Sequence, residues 1–486
     1  MPISEANSSE SVDLSGKIGR GLRWSVANTV LVRLGNLATG ILVARLLAPH
    51  DYGVFAVALI LLNAALSMNE LGVSLAVVKW PRDELPAAAP TVATIALVFS
   101  MLLYGACFEA APTVGRLLGA PAAIPMIRVL CLAIVVDALA AVPAAMITRE
   151  FMQKRRMVMD VVSFALGTVV ILVLALQGLG AWAMVWGYLV SNAAVGVMGI
   201  LMAPVRFGYG FRWEQAKRLT SFGMPLAGAS VLVFLMLNVD YLVVGSLLGA
   251  TQLGLYLFAF NLSGWPVTLI SSAIRRVSFA GFSRASNDPS TASDSFVTSS
   301  GMVMLVAAPV CLILGTLARP LIIVVYGEKW APSAGVLSLL CVMALVRIVG
   351  ELAYDYLVAM GRSVAVLYLQ GVWVVFLIPA LYLGAQVGGI KGVGAGHAVV
   401  ALCFIVPLML VLLGQSMVST RGLWLSWRGP LLASGAAGAG GLLATSGGTG
   451  VLNLLVGGLA AVLIYFLLMR HNFVTLAHSL RQRSTS

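Results

Sequence analysis

A chain of 486 residues that is 60% hydrophobic and only 10% charged has too little polar surface to be soluble, because soluble domains run about 45–50% apolar and about 25% charged. The mean hydropathy of +0.99 agrees, and together these values exclude a soluble enzyme, a secreted disulfide scaffold and a disordered chain. The net charge of +12 suggests nucleic acid only until the charges are located: they gather at the ends of apolar segments, as in a multi-pass membrane protein.

The polar, partly acidic stretch 1–21 lacks the basic start and compact apolar core of a cleavable signal, so it is expected to be a cytoplasmic tail. A spanning helix needs about 20 mostly apolar residues. Breaking the chain at charge clusters and Gly/Pro turns predicts fourteen spans: 22–47, 52–78, 87–109, 122–147, 157–177, 180–203, 222–248, 252–280, 297–325, 332–360, 363–387, 390–414, 426–446 and 449–470. The expected fold is all-α and polytopic. An N-lobe covers 22–203, a cytoplasmic linker 204–221, a C-lobe 222–414, a terminal helix pair 415–470 and a cytoplasmic tail 471–486. The glycine-rich run SGAAGAGGLLATSGGTG predicts unusually close packing in the terminal pair.

With the N-terminus placed inside, inner loops and tails receive 22 of the 30 Lys and Arg residues and outer loops receive 5. One miscounted span would invert every later loop and destroy that bias, so both termini are expected inside. The basic excess is then an orientation signal, with no nucleic-acid partner. Trp24, Trp80, Trp213, Trp424 and Trp427 fall at expected inner helix ends, and Trp182 and Trp330 at outer ones, where interfacial anchoring is the simplest role. The five cysteines stand singly in apolar runs, with no metal-ligand spacing, and read as small hydrophobes. No cofactor or metal is implied.

SLLGATQLGLYLFAF (246–260) echoes RLLAPHDYGVFAVAL (45–59), with Gly254 in the register of Gly53 and Ala259 in that of Ala58. Six spans separate the two segments, so they share an orientation. A parallel repeat therefore relates the lobes through an axis along the membrane normal. No outer loop is long enough to carry an acid, a base and sugar-diphosphate ligands, which disfavours an enzyme. Two lobes with little chain outside the bilayer suit transport by alternating access.

An intramembrane charge costs about 2.5–3.5 kcal/mol on insertion scales and normally faces protein or a wet cavity. On the first span Ser25, Thr29, Arg33, Asn36, Gly40 and Ala44 share one arc. Arg33 lies near the midplane, which suits a wall that receives an anion; pairing with an acidic neighbour is the alternative. Glu70 is in the second span, Asp137 in the fourth, which Pro143 is expected to kink, and Asp240 in the seventh. Asn238 points nearly away from Asp240. Arg347, Glu351, Tyr354 and Asp355 share one face of the tenth span, with Arg347 and Glu351 spaced to pair as i,i+4 neighbours. The candidate cargo-binding residues are Arg33, Asn36, Thr29 and Arg347. Glu70, Asp137, Asp240 and Glu351 are candidates for proton or sodium coupling, since burial raises a carboxylate pKa and a nearby cation lowers it.

The opening stretch with its ARLLAPHDYGVFA core and ELGVSLAVVK, the basic MITREFMQKRR, the VDYLVVGSLLGATQLGLYLFAF segment and YGEKWAPSAGVLSLL occur in the order seen in one family. The chain resembles Wzx-like polysaccharide-unit flippases of the MOP exporter superfamily, related to lipid II flippases and MATE exporters. That resemblance implies two six-helix lobes around a cavity in the bacterial cytoplasmic membrane. It also implies passage of polyprenyl-diphosphate-linked oligosaccharide to the outer leaflet, with membrane lipids, a polysaccharide polymerase and glycosyltransferases as partners. By position, Arg33 resembles a diphosphate-binding arginine, and the last two spans resemble a pair that forms a groove for the lipid tail. The rival readings are cation-coupled multidrug efflux on the same fold and a non-transporting scaffold that recruits glycosyltransferases through the 149–156 loop.

Overall fold

The computed structural model describes residues 31–69, 85–150, 152–203, 208–285, 288–445, 448 and 450–484. Thr29 and Glu70 lie outside the described residues, as do Trp24 and Trp80. Among the described residues the chain is helical and divides into two compact units, 1–254 and 255–486.

In the first unit, α1 covers 31–46, α2 Pro49–Asn69 and α3 Leu85–Leu117. The expected fourth span is broken at Cys131 into α4 Ala123–Leu130 and α5 Leu132–Arg149. Pro143 is accommodated inside α5. Then follow α6 Gln153–Leu176, α7 Ala181–Met202 and the beginning of α8 Trp213–Ala285. α8 holds two membrane passages, because Gly249 leaves helical geometry at φ 80°, ψ 177°. Only glycine occupies that backbone region without strain. The linker is tied back to α3: the Thr91 hydroxyl accepts the Arg212 N–H and donates to Gln215 Oε1, both at 3.1 Å.

In the second unit, α9 runs Pro289–Thr316, N-capped by Asp288, whose side chain accepts the Ser290 N–H. The predicted ninth span is too long: its last residues form a separate short helix, α10 Ala318–Tyr326. α11 Ser333–Ala359 follows. α12 Ser363–Val400 again holds two passages, broken at Gly389 and continued through a π turn, Ala401–Ile405, into α13 Val406–Gly414. α14 Thr420–Ala444 and α15 Val451–Ser484 end the chain.

Among the described residues, ten helical stretches are long and apolar enough to cross a bilayer. Two of them each hold two helices around the Gly249 and Gly389 breaks; with the helices 31–46 and Thr420–Ala444 they make fourteen helical segments among the described residues, in the order expected. The terminal pair is close-packed: a Cβ at Gly441 would stand 2.7 Å from the Gly457 carbonyl oxygen.

Two of the expected interfacial anchors are instead core residues. Trp330 is fully buried and stacks on Phe258 at 4.4 Å between ring centroids. Trp427 is buried, and its indole donates to Ser300 Oγ at 3.2 Å. A tryptophan near a helix end packs inward when a neighbouring helix offers an aromatic face or a hydroxyl, and sequence position alone does not show that partner.

Candidate functional site

Helix α1 is held on one side by α6. The Phe164 ring fills the space beside Gly35, where a Cβ would come within 2.5 Å, and the Thr39 and Thr168 hydroxyls hydrogen-bond at 3.3 Å. Val43 and Leu47 extend the seam into an apolar cluster with Ala175, Ala183 and Met184. These contacts leave another face of α1 uncovered. Arg33 there is half-buried, Asn36 is exposed, and nothing lies within 4 Å of a Cβ built on Gly40. Among the described residues the polar arc expected on the first span is therefore open at Arg33, Asn36 and Gly40 and closed at Ala44, which is fully buried.

The acidic candidates occupy different environments. Asp137 on α5 is exposed and lies near enough to Tyr188 of α7 for its charge to act on the phenol. Asp240 is buried, and its Oδ1 accepts the backbone N–H of Tyr241 at 2.9 Å. The neighbouring Asn238 donates instead to the Phe234 carbonyl at 2.8 Å, so Asn238 and Asp240 do not form one site. In the second unit, Arg347 Nε lies 3.6 Å from Glu351 Oε1 on α11. Both side chains keep partial access, 43% and 21% exposed, so this is a separable, half-wet pair rather than a sealed one.

A second feature arises from the repeat. A Cβ at Gly53 would lie 1.7 Å from the Ala250 carbonyl oxygen, and one at Gly254 would lie 2.0 Å from the Pro49 carbonyl oxygen. Pro49 and Ala250 occupy the same repeat register, as do Gly53 and Gly254. The contact is thus reciprocal, two backbones crossing at a local two-fold that only glycine admits. His50 and Thr251, again equivalent positions, hydrogen-bond across it at 3.2 Å. Beside the crossing, Asp51 Oδ2 accepts the Ala48 N–H at 3.0 Å, and its carboxylate lies against Gly180 at the start of α7. Nearly every residue of the PHDYG motif therefore has a structural task. The single-residue reading missed this, although the matched register of the two glycines was the signal that pointed to it.

The described residues are helical, with glycine-broken double passages, a two-fold crossing and cationic residues within the spans, and they share the fold of a solved transporter of the MOP superfamily. The chain's likeness to solved structures supports that class: lipid II flippase MurJ in an inward closed conformation superposes with a TM-score of 0.71, covering 93% of this chain and all of MurJ at 13% identity. An inward-facing multidrug resistance MATE family transporter gives 0.61, over 80% of this chain and 96% of that one, at 17% identity. The chain belongs to the family described as polysaccharide biosynthesis protein, whose pattern matches residues 42–335. Among relatives, it is 26% identical over 428 residues to the succinoglycan biosynthesis transport protein ExoT of Rhizobium meliloti, covering 86% of this chain and 84% of ExoT. It is 27% identical over 401 residues to the lipopolysaccharide biosynthesis protein WzxC of Escherichia coli, covering 80% of each.

Proposed function

We propose that this protein is a flippase carrying polyprenyl-diphosphate-linked oligosaccharide from the inner to the outer leaflet of the bacterial cytoplasmic membrane, for assembly of a surface polysaccharide. The observation that carries this reading is the likeness to ExoT over 86% of the chain and to WzxC over 80%, one named for succinoglycan and the other for lipopolysaccharide biosynthesis. The Lys/Arg bias supports a cytoplasmic position for both termini.

Arg33 supplies a guanidinium on an open helix face, suited to bidentate hydrogen bonds with a diphosphate. Asn36 and Thr29 extend the polar stripe beside it. Arg347 is spoken for by Glu351 until an anion or a proton separates the pair, which makes it a conditional second contact. Protonation or sodium binding at Glu70, Asp137, Asp240 or Glu351 would bias the alternation, because burial changes the affinity of a carboxylate for either ion. The Gly53–Gly254 crossing lies at the outer ends of its helices in this topology. A polymerase and glycosyltransferases are the expected neighbours on either side of the translocation step.

The reading is tested by Arg33→Ala in a complementation assay. Loss of one charge-assisted contact, worth about 1.5–3 kcal/mol, lowers flipping about 10- to 150-fold, with protein level unchanged. Full activity of the variant would remove Arg33 from the cargo path. A deletion strain that loses drug resistance but keeps its surface polymer would favour the efflux reading.

A further inference from the structure

Pro112 stands inside α3 and has no N–H, so the carbonyl of Phe108, one turn earlier, loses its helical donor. Arg128 of α4 takes that place. Its Nε donates to the Phe108 oxygen at 3.4 Å, and its guanidinium stands 4.2 Å from the centroid of the Phe108 ring. One turn further along α3, Arg116 Nε donates back to the Pro112 oxygen at 3.0 Å. The two accepting oxygens belong to residues four apart, so they lie about 6 Å from each other along one row of the helix. Two guanidinium groups are thus held side by side on α3 by their Nε atoms. Among the described residues no carboxylate lies within 4 Å of either, and their terminal amino groups make no hydrogen bond. Glu109 is exposed nearby on the same helix, and with it the layer keeps a net positive charge.

Beneath this layer the same arc of α3 turns apolar. Val98, Met101, Leu102 and Gly105 continue it, all exposed, and nothing lies within 4 Å of a Cβ built on Gly105. Under the topology of the proposed function, on which this choice of side rests, the C-terminal end of α3 faces outside. The arginine pair then stands at headgroup depth in the outer leaflet, over a strip at acyl-chain depth. An arginine that merely snorkels leaves its whole guanidinium to water. Here each Nε is instead tied to the backbone, and the fork beyond it is fixed in place.

We propose that Arg116 and Arg128 bind the phosphate of an anionic phospholipid of the outer leaflet, with an acyl chain lying over Gly105. The two forks match phosphate oxygens in geometry and charge. Because the backbone already orients both side chains, little rotamer freedom is lost when the headgroup arrives. The phosphate also screens two like charges about 6 Å apart. The bound lipid holds the α3–α4 turn at the headgroup plane, away from the Arg33 face and from the acidic candidates for coupling.

The test titrates full-length protein, delipidated in detergent, with phosphatidylglycerol and counts bound lipids by native mass spectrometry. The Arg116→Gln/Arg128→Gln double variant is expected to lose one lipid from the series, its affinity falling about 100-fold, and Arg116→Gln alone weakens the same step about tenfold. Should the double variant lose helix content, Arg116→Lys carries the test, since it keeps the charge but not the fork and must weaken that step. An identical series in wild type and folded variants overturns the proposal. So does equal occupancy by phosphatidylcholine, which would remove the anionic requirement, or displacement by inorganic phosphate alone, which would leave the acyl chain no part. Displacement by an equimolar polyprenyl phosphate overturns the phospholipid assignment in favour of the carrier lipid. The readout is binding in detergent, so it stands or falls separately from flipping.

Discussion

Glycine does opposite things at three positions of this chain, and substitution separates them. At Gly40 a methyl group enters open space, so Gly40→Ala gains helix propensity of up to about 1 kcal/mol and a slightly higher thermal midpoint in detergent. At Gly53 the same methyl group meets a carbonyl at a separation no real Cβ shows. Gly53→Ala forces the crossing apart at a cost of about 1–3 kcal/mol or more, seen as a lower midpoint, and Gly254→Ala behaves alike because the contact is reciprocal. A Gly53→Ala protein as stable as the wild type would contradict the crossing. The intramembrane arginines divide in the same manner. Arg33 on its open face and Arg347 beside Glu351 share a residue type, yet helical spacing predicted only the second pairing, since Glu351 lies one turn away on the same helix. What covers or uncovers Arg33 depends on α6, 120 and more residues distant, and no local pattern reports it.

At the scale of elements, the breaks are informative. Gly249 splits α8 at φ 80° and ψ 177°, so Gly249→Ala strains that joint by about 1–3 kcal/mol. The thermal midpoint falls although the substitution buries nothing and removes no contact; an unchanged midpoint would mean that the joint relaxes into a continuous helix. Trp330, between α10 and α11, is a core anchor against Phe258, whose ring also meets Tyr326 edge-on. Trp330→Ala costs about 3–5 kcal/mol, whereas an interfacial anchor would tolerate it; folded yield and midpoint distinguish the two roles. The order of the passages was legible because about 20 apolar residues and a flanking charge mark each one in its own segment. The break at Cys131 and the separate helix α10 were not, because both interrupt runs that stay apolar throughout, where hydropathy has nothing to register.

Over the whole molecule, the cationic bias of the inner loops, the repeat between 45–59 and 246–260 and the family match over 42–335 converge on one kind of machine. Cargo identity is the part the sequence leaves unread, since sugar preference is spread over many side chains and one arginine specifies only an anion. Ion coupling belongs at this scale too. Collapsing the proton or the sodium gradient is expected to slow flipping in vesicles, and indifference to both would remove Glu70, Asp137, Asp240 and Glu351 from that role. The central claim is tested most directly by deleting the gene and determining which leaflet holds the lipid-linked oligosaccharide. The account predicts its accumulation in the cytoplasmic leaflet with loss of the surface polymer. An unchanged leaflet distribution with an intact surface polymer would contradict it.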